Sequence, residues 1–192
     1  MRKTLFALAL VAGLASTHAT AVAEEAYVAP IKAYVEQNVQ PWLSDPAVIS
    51  AIKAQNEAHA GLSQADIDAM DKEWRAGVDG GDRKLIDGVL SNALSAFLQK
   101  KQQESGGVIT EVFVMDNKGL NVGQNALTSD YWQGDEDKFQ KSFGAGAGAM
   151  FVDAPEKDES TQVLQSQAST TIVDESGNLI GAITIGINLG EI

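Results

Sequence analysis

The chain has 192 residues, no cysteine and a net charge of −12 at pH 7, from 14 basic and 26 acidic residues. The missing cysteines exclude disulfides and thiol chemistry. The acidic balance, with no basic patch to offset it, opposes binding to nucleic acid and to anionic lipid headgroups. The length is that of one domain, and neither a cofactor nor a nucleic-acid partner is predicted.

The first 23 residues have the pattern of a secretory signal peptide. Arg2 and Lys3 form a basic start, residues 5–14 are a short apolar run, and Ala21-Val22-Ala23 fits a small-x-small cleavage motif. The apolar run is shorter than the roughly 20 residues that a membrane helix needs, and no later segment reaches that length. The sequence therefore predicts cleavage before Glu24, an exported periplasmic protein, and one folded domain over residues 24–192.

Residues 24–105 are predicted to be helical. In residues 26–43, apolar side chains recur at three- and four-residue spacing, which predicts an amphipathic helix whose core stripe is Ile31, Tyr34, Val35, Val39 and Trp42. Further helices are predicted over residues 46–58, 62–77 and 83–105. The second of these starts at Ser63 with Asp66 three residues later, which is close to a capping box.

The composition then changes, and residues 106–192 predict an antiparallel sheet. Strands are expected at 108–116 and 120–125, near 149–153, and in a long terminal hairpin of 161–174 and 179–189. A loop and a short helix at 135–143 separate the second strand from the third. Helices followed by about five strands predict an α+β fold, with the sheet packed against long N-terminal helices.

Several kinds of chemistry are disfavoured. After cleavage His59 is the single histidine, so an ordinary zinc site or a Ser-His-Asp triad is not expected. Two acidic stretches lack the glycine and glutamate of a calcium loop. Two alternatives stay open: a looser cation site at Asp135, Glu136 and Asp137, and a carboxylate-pair hydrolase that combines Asp135 with Asp158 or Glu159.

Two motifs carry a resemblance to a known family. The strand-turn-strand "EVFVMDNKGLNV" leads into "TSDYWQGDEDKFQKSF", and "DESTQVLQSQASTTIVDESGNLIGAITIGINL" closes the chain. Together they resemble the single-Cache form of extracytoplasmic PAS-like sensor domains, over most of residues 30–190. The resemblance implies a long N-terminal helix along one face of a five-stranded sheet. It also implies a small-molecule pocket on the other face, roofed by the loops of residues 126–160, and a domain that is not an enzyme.

The resemblance and the residue chemistry together nominate a ligand site. Tyr131 and Trp132 can form its walls, or else act as a hydrophobic plug that fixes the loop onto the sheet. Lys138 can meet a ligand carboxylate, and Asp135 or Asp158 a ligand ammonium. Polar side chains that share one strand face by period two can form either a pocket floor or a solvated face. The candidate ligand-binding residues are Tyr131, Trp132, Asp135, Lys138, Asp158, Ser160, Gln165 and Gln167, with Glu136 and Asp137 assigned to solvent.

Three functions are therefore weighed. The favoured one is a periplasmic sensor that binds an amino acid or a small carboxylate and modulates a membrane-bound sensor kinase, cyclase or chemoreceptor. Such sensors usually lie between two membrane helices, and this sequence shows no output domain, so we expect it to act by docking or as a scavenging protein. The alternatives are a ligand-free docking module and the hydrolase. The N-terminal helix is a candidate homodimer contact.

Overall fold

The structure, a computed structural model, describes residues 25–157 and 163–192. The predicted signal peptide, residues 1–23, lies outside the described residues. Two of the candidate ligand-binding residues, Asp158 and Ser160, also lie outside them. No helix of the described ranges is both long and apolar enough to span a membrane.

The first helical segment is one run with a widened turn in its middle. It consists of α1 (Val28–Tyr34), a π-helical turn (Val35–Val39) and α2 (Gln40–Leu43). Its buried residues recur every four positions, which in a regular α-helix rotates the stripe by about 40° at each step. The π turn reduces this drift and also accommodates Pro41, which has no N–H to donate. The buried stripe therefore faces the sheet along its whole length, through Ile31, Val35, Val39 and Leu43.

Four further helices follow: α3 (Pro46–Ala58), α4 (Gln64–Val78), α5 (Lys84–Leu90) and α6 (Ala93–Glu104). The capping box of Ser63 and Asp66 is present at the start of α4. The single helix predicted over residues 83–105 is wrong, because it is divided into α5 and α6. Asn92 has an extended backbone and its side chain accepts the N–H of Ser95, so it caps a new helix start.

The sheet contains the strands β1 (Ile109–Met115), β2 (Asn121–Gln124), β3 (Met150–Val152), β4 (Glu156–Lys157), β5 (Leu164–Val173) and β6 (Leu179–Asn188). All pairs are antiparallel, with the strand order β2-β1-β6-β5-β3, and β4 also pairs with β5. The predicted α+β class is thereby confirmed. β4 falls in a stretch predicted to be a loop, and the expected short helix is confined to α7 (Asp137–Gln140).

The two faces of the sheet are buried by different partners. Alternate residues such as Val112, Val114 and Ile185 pack against the stripe of α1 and against α3 and α6, forming the main core. The other face carries Phe113 and Met115, which pack against Phe139. That second face is covered by the segment between β2 and β3, and it is where the sequence places the ligand pocket.

Gly119 closes the β1–β2 turn in a conformation that suits glycine, with φ +83°. A Cβ at this position would lie 2.5 Å from the Cα of Gly134, so the turn and the segment above it are in backbone contact. We expect Gly119→Ala to lower the free energy of unfolding by about 2–3 kcal/mol, because it adds both strain and a backbone clash. Gly177→Ala, at a similar φ of +80° with open space around it, should cost about 1 kcal/mol. Urea unfolding of both variants measures the difference, and equal losses would contradict the clash.

Candidate functional site

A cavity of about 150 Å³ lies between the second face of the sheet and the segment of residues 126–140, which we call the lid. The sheet contributes Glu111 and Phe113 from β1 and Gln167 from β5. The lid contributes neutral polar groups and two charged ones, the acid Asp130 and the base Lys138. The residues that line the cavity from the lid are Leu127, Thr128, Ser129, Asp130, Gln133 and Lys138.

Glu111 is the central polar residue of the cavity floor. Its Oε1 accepts a hydrogen bond of 2.7 Å from Nε2 of Gln167 and a longer one of 3.4 Å from Nε2 of Gln165. Room for these side chains comes from Gly186 on the neighbouring strand, where a Cβ would approach Cγ of Glu111 to 2.8 Å. Gln165, itself fully buried, also accepts from the hydroxyl of Thr110. Two predicted site residues, Gln165 and Gln167, are thus brought together by a carboxylate that the sequence analysis missed.

The signal for Glu111 was present in the sequence. In "ITEVFVM" the apolar Val112 and Val114 alternate with Glu111, Phe113 and Met115, so an acid stands on the face opposite the main core. A carboxylate in the middle of a buried central strand is unusual, since charged groups are rarely buried without partners. Glu111 was not among the predicted site residues because the acids of the lid outnumber those of the strands and were favoured as ligand-binding groups.

Lys138 lines the cavity, as its nomination as a ligand-binding residue requires. Its Nζ lies 2.9 Å from Oε2 of Glu136 and 5.6 Å from the ring centroid of Phe113. Glu136, assigned to solvent from the sequence, is therefore half-buried and paired. Asp137 is exposed, as expected, and pairs with Lys141. Asp135 is exposed and does not line the cavity.

Tyr131 and Trp132 point away from the cavity and anchor the lid to α4. The ring of Tyr131 stacks on the buried Trp74 at a centroid distance of 5.2 Å and an interplanar angle of 18°. Burial, with a smaller contribution from the negative charge of Asp116, raises the pKa of the Tyr131 hydroxyl far above its usual value. The indole N–H of Trp132 donates to the carbonyl of Lys118 at 2.8 Å. Their positions match the plug alternative rather than pocket walls.

Hydrogen bonds to the backbone hold the same part of the lid. Asp71 on α4 accepts the N–H groups of both Tyr131 and Trp132 through one oxygen, and its other oxygen lies 2.6 Å from Nε of Arg75. Arg75 also reaches Asp130 at 3.1 Å. The side chain of Asp130 is thus paired with a cation, although the residue lines the cavity. The lid is fixed to α4 by charge-assisted contacts at consecutive positions.

Trp132 also extends the sheet. It forms a bridge with Leu120, the N–H of Asn121 donates to the carbonyl of Tyr131, and the N–H of Gln133 donates to the carbonyl of Gly119. These contacts run along the side of β2 that faces away from β1. The lid therefore serves as a short additional partner for the outermost strand.

Beneath the lid, two buried amide side chains are incompletely satisfied. Within the described residues, Oδ1 of Asn121 and Nε2 of Gln124 have no hydrogen-bond partner. Both side chains do contact the hydroxyl of Thr128, which lines the cavity. Buried polar groups without partners are costly, so the two amides leave spare hydrogen-bonding capacity behind Thr128, although neither of them lines the cavity itself.

A second polar cluster lies on the helix side of the β1–β2 turn. Asp116, fully buried, accepts the N–H groups of Lys118 and Leu120 through Oδ1 at 2.8 and 3.0 Å. Its Oδ2 accepts from Nε2 of Gln55 at 3.0 Å and lies 2.9 Å from Nδ1 of His59. His59 thus joins the end of α3 to this turn, and the cluster is built to hold structure.

The sequence also left open a cation site at Asp135, Glu136 and Asp137 and a carboxylate-pair hydrolase. Among residues 25–157 and 163–192, no group of three or more histidine, cysteine, aspartate or glutamate side chains is placed to hold a metal ion. The partners proposed for Asp135 in a hydrolase, Asp158 and Glu159, fall outside the described residues. The hydrolase therefore stays an untested expectation.

Comparison with known proteins gives matches among solved structures alone. No family model matches the sequence, and no curated protein matches it. The chain resembles the sensor domain of Escherichia coli DcuS, with 11% identity, coverage of 83% of this chain and 91% of that chain, and a TM-score of 0.49. It also resembles the sensor domain of the Vibrio cholerae histidine kinase DctB, with 10% identity, coverage of 85% and 51%, and a TM-score of 0.47.

A third match is the ligand-binding domain of the Campylobacter jejuni chemoreceptor Tlp3 in complex with 4-methylisoleucine. Its identity is 14%, its coverage 77% of this chain and 62% of that chain, and its TM-score 0.40. The chain spans about half of the DctB sensor domain and less than two thirds of the Tlp3 domain. All three matched structures are sensor or ligand-binding domains, and each TM-score is below 0.5.

Proposed function

We propose that the chain is a periplasmic small-molecule-binding sensor protein that modulates a membrane signalling partner. The observation that carries the proposal is the polar cavity between the sheet and the lid. It is a concave site on which polar groups of strands and loop converge, with Phe113 and Leu127 as its apolar lining residues. The elements around it are held by hydrogen bonds to α4 and to the β1–β2 turn, so the site is preformed.

The cavity limits the size of the ligand. Its volume of about 150 Å³ is comparable to a cavity that accommodates benzene in another protein, and it lies below the roughly 300–1,000 Å³ of most ligand pockets. It therefore suits a molecule of about six to eight non-hydrogen atoms. Small amino acids and small carboxylates, the classes predicted from the sequence, fall in this range.

Ligand-stripped, refolded protein tests the proposal. A ligand at about 100 times its Kd should add about 2.7 kcal/mol to the free energy of unfolding, which raises the Tm by about 5–10 °C for a domain of this size. Thermal-shift screening of small metabolites, followed by isothermal titration, measures both. Gln167→Phe, which fills the cavity floor, should abolish the shift, whereas Gln103→Phe on the exposed surface of α6 should keep it. If a broad panel raises the Tm of neither the wild-type protein nor Gln103→Phe, ligand binding is refuted.

The small volume favours one rival, a ligand-free docking module of the same fold. In that case no metabolite raises the Tm, and a membrane kinase, cyclase or chemoreceptor co-purifies with the chain whether or not metabolites are present. Native mass spectrometry of gently purified protein separates the two proposals, because it shows a retained small molecule directly. The same spectrum gives the subunit count and tests the proposed homodimer through the N-terminal helix.

A further inference from the structure

We infer that the cavity selects a small amine that carries an ammonium group and no carboxylate, with Glu111 as the residue that binds the ammonium. The inference rests on the proposed function, since it names the ligand chemistry of the same cavity. It departs from the carboxylate-bearing ligands that the sequence led us to expect. Three observations carry it: the state of Glu111, the balance of charge around the cavity, and the pairing of Lys138.

Glu111 is a carboxylate without a cation. Within the described residues it forms no ion pair, and its hydrogen-bond donors are the neutral amides of Gln165 and Gln167. The two amides donate to Oε1, so Oε2 is left for another donor. Partly buried carboxylates are normally paired, because removing an ionised group from water is costly. An ammonium group in the cavity would supply the missing positive charge and a charge-assisted hydrogen bond.

The charge balance of the whole site is negative. The cavity is lined by Glu111, Asp130 and Lys138, and the ion-pair partners of the latter two are Arg75 and Glu136. Arg75 is shared with Asp71, whose carboxylate lies 2.6 Å away, so the six groups comprise four carboxylates and two cations and carry two excess negative charges. Asp71, Asp130 and Glu136 each have a cation within 3.1 Å, whereas Glu111 has none within the described residues.

Lys138 does not offer a free positive charge to a ligand. Its ammonium is 2.9 Å from a carboxylate oxygen of Glu136, and its side chain is only 15% exposed. A ligand carboxylate at Lys138 would share its ammonium with Glu136, and it would lie in a cavity that Glu111 and Asp130 also line. A carboxylate on the ligand therefore weakens binding, whereas hydroxyl or amide groups can use Thr128 and Gln133.

The phenyl ring of Phe113 adds a neutral wall to this site. Phe113 is almost fully buried, lines the cavity, and already has the Lys138 ammonium 5.6 Å from its ring centroid. The alkyl part of a short amine can pack on this ring while its ammonium reaches Glu111. The volume of about 150 Å³ restricts that alkyl part to a few carbons.

Three matched compounds test the inference: isobutylamine, L-valine and isovalerate, which carry the ammonium group, both groups, and the carboxylate. We expect isobutylamine to bind ligand-stripped wild-type protein most tightly, by about tenfold over L-valine, and isovalerate not to bind detectably in isothermal titration. Stronger binding of isovalerate or of succinate than of isobutylamine would overturn the inference.

Two substitutions assign the effect to residues. Glu111→Gln keeps the size and the hydrogen bonding of the side chain and should weaken isobutylamine binding by about tenfold or more. The matched control is Glu156→Gln, which replaces an exposed acid on β4 and should leave isobutylamine binding unchanged. Glu136→Gln releases Lys138 and should shift preference from isobutylamine toward L-valine. Unchanged isobutylamine binding in a folded Glu111→Gln protein would also overturn the inference.

The failure of the inference can be told from the failure of the proposed function. If none of the three compounds binds while another metabolite raises the Tm and loses this effect in Gln167→Phe, the cavity binds ligands but the amine assignment is wrong. If no compound of a broad panel binds wild-type protein, the proposed function fails and the inference fails with it. If Glu111→Gln does not fold, the expected shift of preference toward L-valine in Glu136→Gln tests the inference instead.

Discussion

Replacing Asp116 by alanine is expected to lower the free energy of unfolding by about 3–5 kcal/mol, one of the two largest effects in the molecule. The substitution leaves two backbone N–H groups of the β1–β2 turn without the carboxylate that accepts them, and it removes one of the partners of Gln55 and the carboxylate beside His59. Unsatisfied buried donors each cost about 1–3 kcal/mol. Urea unfolding followed by circular dichroism measures the loss.

The chain provides a matched control for this prediction. Asp174 makes the same pair of backbone contacts in the β5–β6 turn, where its Oδ1 accepts the N–H groups of Ser176 and Asn178. Its ion-pair partner Lys53 is 45% exposed, so no buried side chain is left unpaired when Asp174 is replaced. We expect Asp174→Ala to cost clearly less than Asp116→Ala. A loss below about 1 kcal/mol for Asp116→Ala would show that the buried cluster contributes little.

The second large effect is expected for Trp74→Ala, with a loss of about 3–5 kcal/mol in the free energy of unfolding. Trp74 is fully buried, stacks on Tyr131, and donates its indole N–H to the carbonyl of Thr128 at 2.9 Å. Its removal leaves a cavity and takes away the ring contact and the hydrogen bond of Trp74 to the lid, so Asp71 and Arg75 remain as the contacts between the lid and α4 described above. Hydrogen exchange should therefore accelerate at the amides of residues 128–133 more than in the strands β5 and β6.

Trp74→Phe separates the two contributions of this side chain. It keeps an aromatic ring for Tyr131 but loses the hydrogen bond to Thr128, so we expect a smaller loss of about 1–3 kcal/mol. Ligand affinity is a second measurement for both variants, because a lid that moves away from α4 no longer completes the cavity. If Trp74→Ala lowers stability but leaves hydrogen exchange of the lid unchanged, the lid is held by Asp71 and Arg75 alone.

Much of the fold could be predicted because local patterns and tertiary packing agree. The four-residue stripe of the first helix, the capping box at Ser63 and the alternation in the terminal hairpin each specify their element locally. The division at Asn92 was missed because the apolar positions continue in helical spacing on both sides of it. Besides capping α6, Asn92 donates its amide to the carbonyl of Val122 on β2, a tertiary contact that the local pattern does not show.

The candidate site was predicted less well, for a related reason. Residues on one strand face can be grouped by period two, which correctly placed Gln165 and Gln167 together. A loop has no such periodicity, so the directions of Tyr131 and Trp132 depend on Trp74 and Asp71, about 60 residues earlier in the chain. The pairing of Lys138 with Glu136 could likewise not be predicted, because the side chain of a nearby acid can equally point to solvent.

The bridge between Trp132 and Leu120 has a consequence for self-association. The outermost strand β2 offers backbone N–H and C=O groups on its open side, and such edges act as templates for strands of other molecules. The lid covers two groups at the start of this edge, the C=O of Gly119 and the N–H of Asn121. Asn92 and Ser95 bind the C=O of Val122 and the N–H of Gln124 further along it. A substitution that loosens the lid, such as Trp74→Ala, therefore uncovers the start of the edge, and we expect it to favour strand pairing between two copies of the chain.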